Sequence, residues 1–110
     1  MRAARLRRGE DIARVRAEGI ARNDKLFSLR ALTTDLAAVR VAVASSRAVG
    51  GAVDRNRARR RIREALRQAL APRRSHPGAD LLVIARPASL SATASDLRSA
   101  VERELDRVLA

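Results

Sequence analysis

The sequence predicts a small α+β domain, because two strand patterns and two helix patterns alternate along the chain. VRVAVAS (39–45) alternates valine with arginine and alanine, as in a half-buried strand. DLLVIARP (80–87) is a continuous apolar run between turn residues, which is typical of a strand buried on both faces. The segments 52–71 and 91–110 carry apolar residues at three- and four-residue steps, which predicts amphipathic helices. The 110 residues suffice for one domain with a modest core.

The N-terminal part of the chain is predicted to form a short helix and then strands. Residues 9–17 place Ile12 and Val15 among charged side chains, which favours a helix, and Gly19 is a natural place for it to end. LFSLRAL (26–32) has the composition of a strand. The predicted order is therefore helix, two or three strands, helix, strand, helix.

Turn and cap residues delimit the second half of the chain. Gly50 and Gly51 separate the strand 39–45 from the long helix, and Pro72 ends that helix. Hydroxyl side chains favour the position before a helix, where they accept hydrogen bonds from free backbone N–H groups. Three residues are candidates for this role before the last helix: Ser91, Thr93 and Ser95.

The charge of the chain indicates a polyanionic partner. The sequence has 24 Lys and Arg against 12 Asp and Glu, a formal net charge of +12, and Lys25 is the single lysine. Such an excess favours nucleic acid over the alternative, an anionic membrane surface. Cysteine is absent, which excludes disulfides and thiolate metal sites. No apolar run has the length of a membrane span and the first residues lack the apolar core of a signal peptide, so we expect a cytoplasmic protein without membrane association.

The long helix carries much of this charge on one side. Seven of the thirteen residues from Arg55 to Arg67 are arginine. At about 100° per residue, the apolar residues fall on one face: Ala58, Ile62, Ala65, Leu66 and Ala69. The polar residues fall on another: Asn56, Arg57, Arg60, Arg63 and Arg67. Arg55 and Arg59 flank the apolar face.

This arrangement of charge opposes helix formation. Like charges four residues apart, such as Arg59 and Arg63, each cost a few tenths of a kcal/mol, and we expect Arg60 and Glu64 to form the one favourable pair. The unfavourable repulsion between these arginines would be offset if phosphate groups of a ligand neutralised their charges. The arrangement therefore predicts nucleic-acid binding. The alternative is a solvated basic face on an arginine-rich protein.

Catalytic side chains are not apparent in this sequence. The one histidine, His76, lies in a loop flanked by proline, and the carboxylates are dispersed. Glu10 and Asp11 are better explained by the start of the first helix, where carboxylates interact favourably with the helix dipole. We therefore predict neither a catalytic residue nor a metal site in the protein.

The segment AVDRNRARRRIREALR resembles the signature of the bacterial ribonuclease P protein component, an Arg-Asn-Arg core followed by spaced basic residues, an apolar residue and another arginine. Here these residues are Arg55, Asn56 and Arg57, then Arg59, Arg60, Ile62 and Arg63. LRRGEDIARV resembles the opening helix of the family, VRVAVASSRAVGGAV the strand and loop before its long helix, and DLLVIARPA its last strand. The resemblance covers residues 1–110 as a single domain.

The resemblance implies an αβββαβα fold with a left-handed βαβ crossover and a short extra strand near 20–22. It also implies that the protein is the small subunit of the ribonucleoprotein endonuclease that removes the 5′ leader of precursor tRNA. In that enzyme the RNA is the catalyst and holds the magnesium ions, so the protein alone binds no cofactor. The implied contacts with the catalytic RNA are Arg55, Asn56, Arg57, Arg59, Arg60, Arg63 and Arg67. A ribosome-associated or architectural RNA-binding protein is the alternative.

The chain departs from the family in the cleft that contacts the single-stranded leader, which usually carries aromatic residues. Ile12 and Arg16 occupy the positions on the opening helix, and Arg30 occupies the position on the central strand. Guanidinium planes stack on bases, so Arg16 and Arg30 are candidates for the same role. Ser46 and Arg47 are candidates for phosphate contacts. Alternatively, Ile12 belongs to the core and both arginines are solvated.

Overall fold

The computed structural model describes residues 1–73 and 78–109, which form one mixed sheet and three α-helices. In chain order the elements are β1 (Ala4–Arg5), α1 (Gly9–Glu18), β2 (Ile20–Asn23), β3 (Phe27–Thr33), β4 (Val39–Ser45), α2 (Ala52–Leu70), β5 (Ala79–Ala85) and α3 (Ala94–Val108). Short 3₁₀ turns follow β4 and β5, at Arg47–Val49 and Pro87–Leu90. None of the helices in this part of the chain is long and apolar enough to cross a membrane.

The predicted α+β class is confirmed, and so is the predicted order of elements from α1 to α3. β4 has the predicted bounds, and β2 is the short extra strand that the resemblance implied. Gly50 has a φ of 133°, a conformation that glycine adopts far more readily than other residues, so the predicted break before α2 is a real backbone requirement. β1 was not predicted.

The sheet has the strand order β1-β4-β5-β3-β2. β5 is parallel to β4 and antiparallel to β3, while β1 runs parallel to β4 and β2 antiparallel to β3. Parallel neighbours need a long crossover connection, and α2 provides it between β4 and β5. The left-handed sense of this crossover stays a prediction from the resemblance.

The two faces of the sheet support two separate clusters of buried side chains. On one face α2 and α3 pack over the sheet, and Leu81 and Val83 of β5 belong to that main core. On the other face Leu6, Val15 and Leu82 form a smaller cluster beneath α1. Neighbouring residues of β5 thus point into different clusters, which confirms the prediction of a strand buried on both faces.

A partly buried ion pair lies on the α1 face of the sheet. Arg40 of β4 donates two hydrogen bonds to the carboxylate of Asp80 in β5, from Nε to Oδ1 at 2.7 Å and from Nη2 to Oδ2 at 2.6 Å. Asp80 is only 3% exposed and requires such a partner, because an isolated buried charge is very unfavourable. The hydrogen bond from Arg40 to Asp80 is the largest cause of a raised pKa at Arg40. A third contact, 3.4 Å from Arg40 Nη1 to Asp11 Oδ2, links the pair to α1.

Of the three hydroxyl residues considered for the start of α3, Thr93 is the cap. Its Oγ1 accepts a hydrogen bond of 3.0 Å from the backbone N–H of Asp96. We expect Thr93→Ala to lower the free energy of unfolding by about 1 kcal/mol, since an N–H group of the first turn loses its partner. Urea denaturation measures this change. Ser95→Ala is the matched control and is expected to have little effect, so an equal loss in both variants would contradict the assignment of the cap.

Candidate nucleic-acid interface

The predicted faces of α2 are confirmed by burial. All five residues of the predicted apolar face are buried: Ala58, Ile62, Ala65, Leu66 and Ala69. The residues of the predicted polar face are all exposed, and we call them the arginine face: Asn56, Arg57, Arg60, Arg63 and Arg67. Arg55 and Arg59 are half-buried at its edges, as their predicted position beside the core implies.

The one carboxylate beside the arginine face has a different partner from the one predicted. Glu64 accepts hydrogen bonds from Arg67, at 2.6 Å from Nη2 and 3.0 Å from Nε, and from Gln68 at 2.9 Å. The prediction of an Arg60–Glu64 pair was wrong, because a guanidinium that donates two hydrogen bonds to one carboxylate makes a particularly favourable contact. The hydrogen bond from Arg67 is also the main reason that the pKa of Glu64 falls to about 2. Arg57, Arg60 and Arg63 form no ion pair with any described residue.

The start of α2 is attached to the end of β4. Ser45 Oγ donates a hydrogen bond of 2.9 Å to the backbone carbonyl of Arg55. One turn further, the Arg59 guanidinium donates to the side-chain carbonyl of Asn56. These contacts hold the Arg-Asn-Arg segment in a defined position, with the side chains of Asn56 and Arg57 directed into solvent.

Arg61 has a structural role that explains its place in the run of arginines. It is half-buried and donates hydrogen bonds to the backbone carbonyls of Ser89 and Ala92, in the segment that leads into α3. The Arg61 guanidinium is therefore directed toward the segment before α3.

Arg5 is a further member of the positive surface, and it was not predicted from the sequence. β1 brings Arg5 close to Arg63, which is also near Arg59. Partial burial is the largest cause of a lowered pKa at Arg63, followed by repulsion from Arg5 and Arg59. A two-residue strand has no detectable periodicity, so the only available signal for Arg5 was the high positive charge of the first eight residues.

Two of the predicted leader-contact residues meet between α1 and the sheet. Arg30 Nη1 donates a hydrogen bond of 3.2 Å to the backbone carbonyl of Arg16, near the end of α1. Ile12 is half-buried against the cluster beneath α1, as the alternative interpretation of this residue expected. The role of Arg16 and Arg30 at the leader stays a prediction.

The other two leader-contact candidates follow β4. The backbone N–H of Ser46 donates a hydrogen bond of 3.0 Å to the carbonyl of Ala85, whereas Ser46 Oγ has no hydrogen-bond partner among the described residues. Arg47 is exposed in the 3₁₀ turn. The pair therefore lies beyond the carboxyl ends of β4 and β5, while Arg30 pairs with Leu82 in the middle of the sheet.

Residues 1–73 and 78–109 contain no group of three or more His, Asp or Glu residues placed to hold a metal ion. His76 lies outside the described residues.

A mixed sheet with a crossover helix that exposes Arg57, Arg60 and Arg63, none of them paired with an acidic side chain in the described part of the chain, defines a small basic domain whose surface is complementary to polyanions. The comparison with known proteins is more specific: the chain belongs to the ribonuclease P protein family, whose model, described as Ribonuclease P, matches residues 1–109.

Individual relatives agree with this family. The chain is 37% identical over 107 residues to the ribonuclease P protein component of Roseiflexus sp. strain RS-1, covering 96% of this chain and 86% of that protein. It is 40% identical over 83 residues to the protein of the same name from Caulobacter vibrioides strain NA1000, covering 74% of this chain. The match spans only 55% of the Caulobacter protein.

Solved structures share the fold. The ribonuclease P protein from Thermotoga maritima superposes with a TM-score of 0.81 at 23% sequence identity, covering 96% of this chain and 98% of that one. The protein from Staphylococcus aureus gives a TM-score of 0.77 at 22% identity, covering 99% of this chain and 100% of that one.

Proposed function

We propose that this chain is the protein subunit of the ribonucleoprotein endonuclease that removes the 5′ leader from precursor tRNA. The observation that carries the proposal is the match to the family over residues 1–109, together with the exposure of its Arg-Asn-Arg motif on α2. The proposed partners are the ribonuclease P RNA and the single-stranded leader of the precursor.

The arginine face is the proposed contact with the catalytic RNA. Arg57, Arg60 and Arg63 are exposed and have no acidic partner among the described residues, so phosphates would relieve their mutual repulsion. Guanidinium groups also match phosphate geometry, since they donate two parallel hydrogen bonds. Because Ser45 holds the backbone of Arg55, these contacts would fix the orientation of the whole sheet relative to the RNA.

The proposed leader contact lies on the opposite face of the sheet, beside α1. Arg16 and Arg30 are the residues there that offer guanidinium planes to unpaired bases. Ser46 and Arg47, beyond the ends of β4 and β5, would contact the leader phosphates.

In this proposal the protein contributes binding and the RNA contributes chemistry. Phosphodiester hydrolysis by two metal ions needs clustered carboxylates or another anionic cradle. RNA phosphates provide that cradle, so magnesium belongs to the ribonucleoprotein and no cofactor to the protein alone.

Reconstitution tests the proposed function. The protein is mixed with ribonuclease P RNA and a precursor tRNA at low magnesium, where neutralisation of phosphates by the protein has the largest effect, and the cleavage site is mapped. We expect faster cleavage at the mature 5′ end than with the RNA alone, and a smaller stimulation for a precursor whose leader is shortened. Tight RNA binding without stimulation would instead favour an architectural RNA-binding protein.

A further inference from the structure

A cleft of about 460 Å³ lies between the N-terminal strand β1, the strand β4 and the C-terminal half of α2. We call it the β1–α2 cleft. Its volume falls within the roughly 300–1,000 Å³ that is usual for small-molecule sites. It is on the side of the sheet that packs against α2, whereas the proposed leader contact is on the α1 side.

The alternation of side chains along the N-terminal segment creates this cleft. The backbone N–H of Leu6 donates a hydrogen bond of 2.9 Å to the carbonyl of Val41, which continues the pairing of β1 with β4. Leu6 then points into the cluster beneath α1. Since neighbouring residues of a strand face opposite sides, Arg5 is directed toward α2 and reaches the vicinity of Arg63.

The floor of the cleft is apolar. Val41 and Val43 contribute from β4, and Leu66 and Leu70 contribute from α2. The two valines are only half-buried, so the cleft leaves part of their surface open to a ligand. An apolar floor of this kind suits a flat, weakly polar group and would contribute little to a phosphate alone.

The rim of the cleft is positively charged. Four arginines line it: Arg2, Arg5, Arg63 and Arg67. Arg67 is paired with Glu64, while the other three form no ion pair with the described part of the chain. None of the described residues that line the cleft is acidic. The rim is therefore complementary to an anion, and the repulsion between Arg5 and Arg63 would be relieved by one.

We propose that the β1–α2 cleft binds one unpaired nucleotide of an RNA strand, with the base on the apolar floor and a phosphate between Arg5 and Arg63. A nucleotide combines the two required features, since an unstacked base packs against apolar side chains and guanidinium planes. The proposal rests on the proposed function in that RNA is the ligand. It adds a second, base-contacting site to the arginine face, at a position separate from the leader contact.

Nuclear magnetic resonance of the methyl groups tests the proposal directly. The full chain, labelled at its Val, Leu and Ala methyl groups, is titrated with a short oligouridylate and with an abasic strand of the same length, which carries the same phosphates. We expect the oligouridylate to shift the methyl resonances of Val41, Val43 and Leu66 and to bind more tightly than the abasic strand. Equal affinities with unchanged floor resonances would overturn the proposal.

Two substitutions at Arg5 distinguish a specific contact at the rim of the cleft from a general effect of positive charge on RNA binding. We expect Arg5→Ala to weaken oligouridylate binding by about tenfold, which corresponds to one charge-assisted contact. Arg5→Lys keeps the charge but loses the planar guanidinium, and we expect a smaller loss. Arg107→Ala, an exposed arginine of α3, removes the same charge elsewhere and is expected to change binding by less than about twofold. Equal losses for Arg5→Ala and Arg107→Ala would show that only net charge matters.

Failure of the nucleotide site can be distinguished from failure of the proposed endonuclease role. The methyl shifts are read on the isolated protein and need no cleavage. If the shifts occur while reconstituted cleavage is not stimulated, the nucleotide site stands and the endonuclease role fails. If cleavage is stimulated while the floor methyls do not respond, the endonuclease role stands and the nucleotide site fails.

Discussion

Replacing Ile62 with aspartate is expected to unfold the protein under conditions in which the unsubstituted chain is folded. Ile62 is fully buried on the apolar face of α2, within the main core. Loss of a large aliphatic side chain from a core costs about 2–5 kcal/mol by itself. A carboxylate at this position adds the cost of burying a charge without a partner. The sum, above about 4 kcal/mol, is comparable to the roughly 5–15 kcal/mol by which domains are usually stable.

Circular dichroism during urea and thermal denaturation measures this effect. Ile62→Val is the conservative variant and is expected to lose only about 0.5–1.5 kcal/mol. Val53→Asp is the matched exposed control on the same helix, because Val53 is 79% exposed and lies in the first turn, where the helix dipole favours a carboxylate. An unfolding midpoint of Ile62→Asp close to that of Val53→Asp would mean that the apolar face of α2 has been misassigned.

Replacing Arg60 and Arg63 together with alanine is expected to weaken binding to ribonuclease P RNA strongly. Both side chains are exposed on the arginine face, so their removal leaves the core unchanged. Two charge-assisted contacts of about 1.5 kcal/mol each correspond to roughly a hundredfold in affinity. The salt dependence is more diagnostic: the slope of log K against log salt falls by about 0.7–0.9 for each phosphate that no longer has a cationic partner.

The matched control removes the same charge from another helix. Arg98 and Arg107 are exposed on α3, and Arg98 is already paired with Glu102. We expect their double alanine variant to change the salt slope much less than the double variant on α2. The docking assignment would be contradicted by an unchanged slope for the α2 variant, or by equal slopes for the two variants.

Elements with many repeats of one period were predictable from the sequence. α2 continues its three- and four-residue spacing for 19 residues, so the phase that buries Ile62 and exposes Arg60 follows from the order of the residues alone. β5 was equally clear because its apolar run is continuous. β1 could not be found in this way, since two residues define no period and its position depends on pairing with a strand about 36 residues away, as in Ala4 with Arg40.

The site was predictable at the level of faces and less so at the level of contacts. The exposure of the arginine face was predicted correctly. The partner of Glu64, in contrast, depended on which of two nearby guanidinium groups, Arg60 or Arg67, has the better geometry. The pair of Arg40 with Asp80 joins strands that are 40 residues apart in sequence. Arg5 likewise belongs to the positive surface because of a tertiary contact, the pairing of β1 with β4. Local spacing along the chain carries no information about pairs of this kind.

The strand order has a consequence for how the molecule assembles. β5 occupies the centre of the sheet, yet it is the last strand to be synthesised. Until residues 79–85 are available, β3 and β4 have no hydrogen-bonded neighbour on the sides that will face each other across β5. The β2–β3 hairpin can form from local contacts, whereas closure of the sheet depends on non-local ones, which form more slowly. During translation all residues of α2 are therefore synthesised before the sheet that supports this helix is complete.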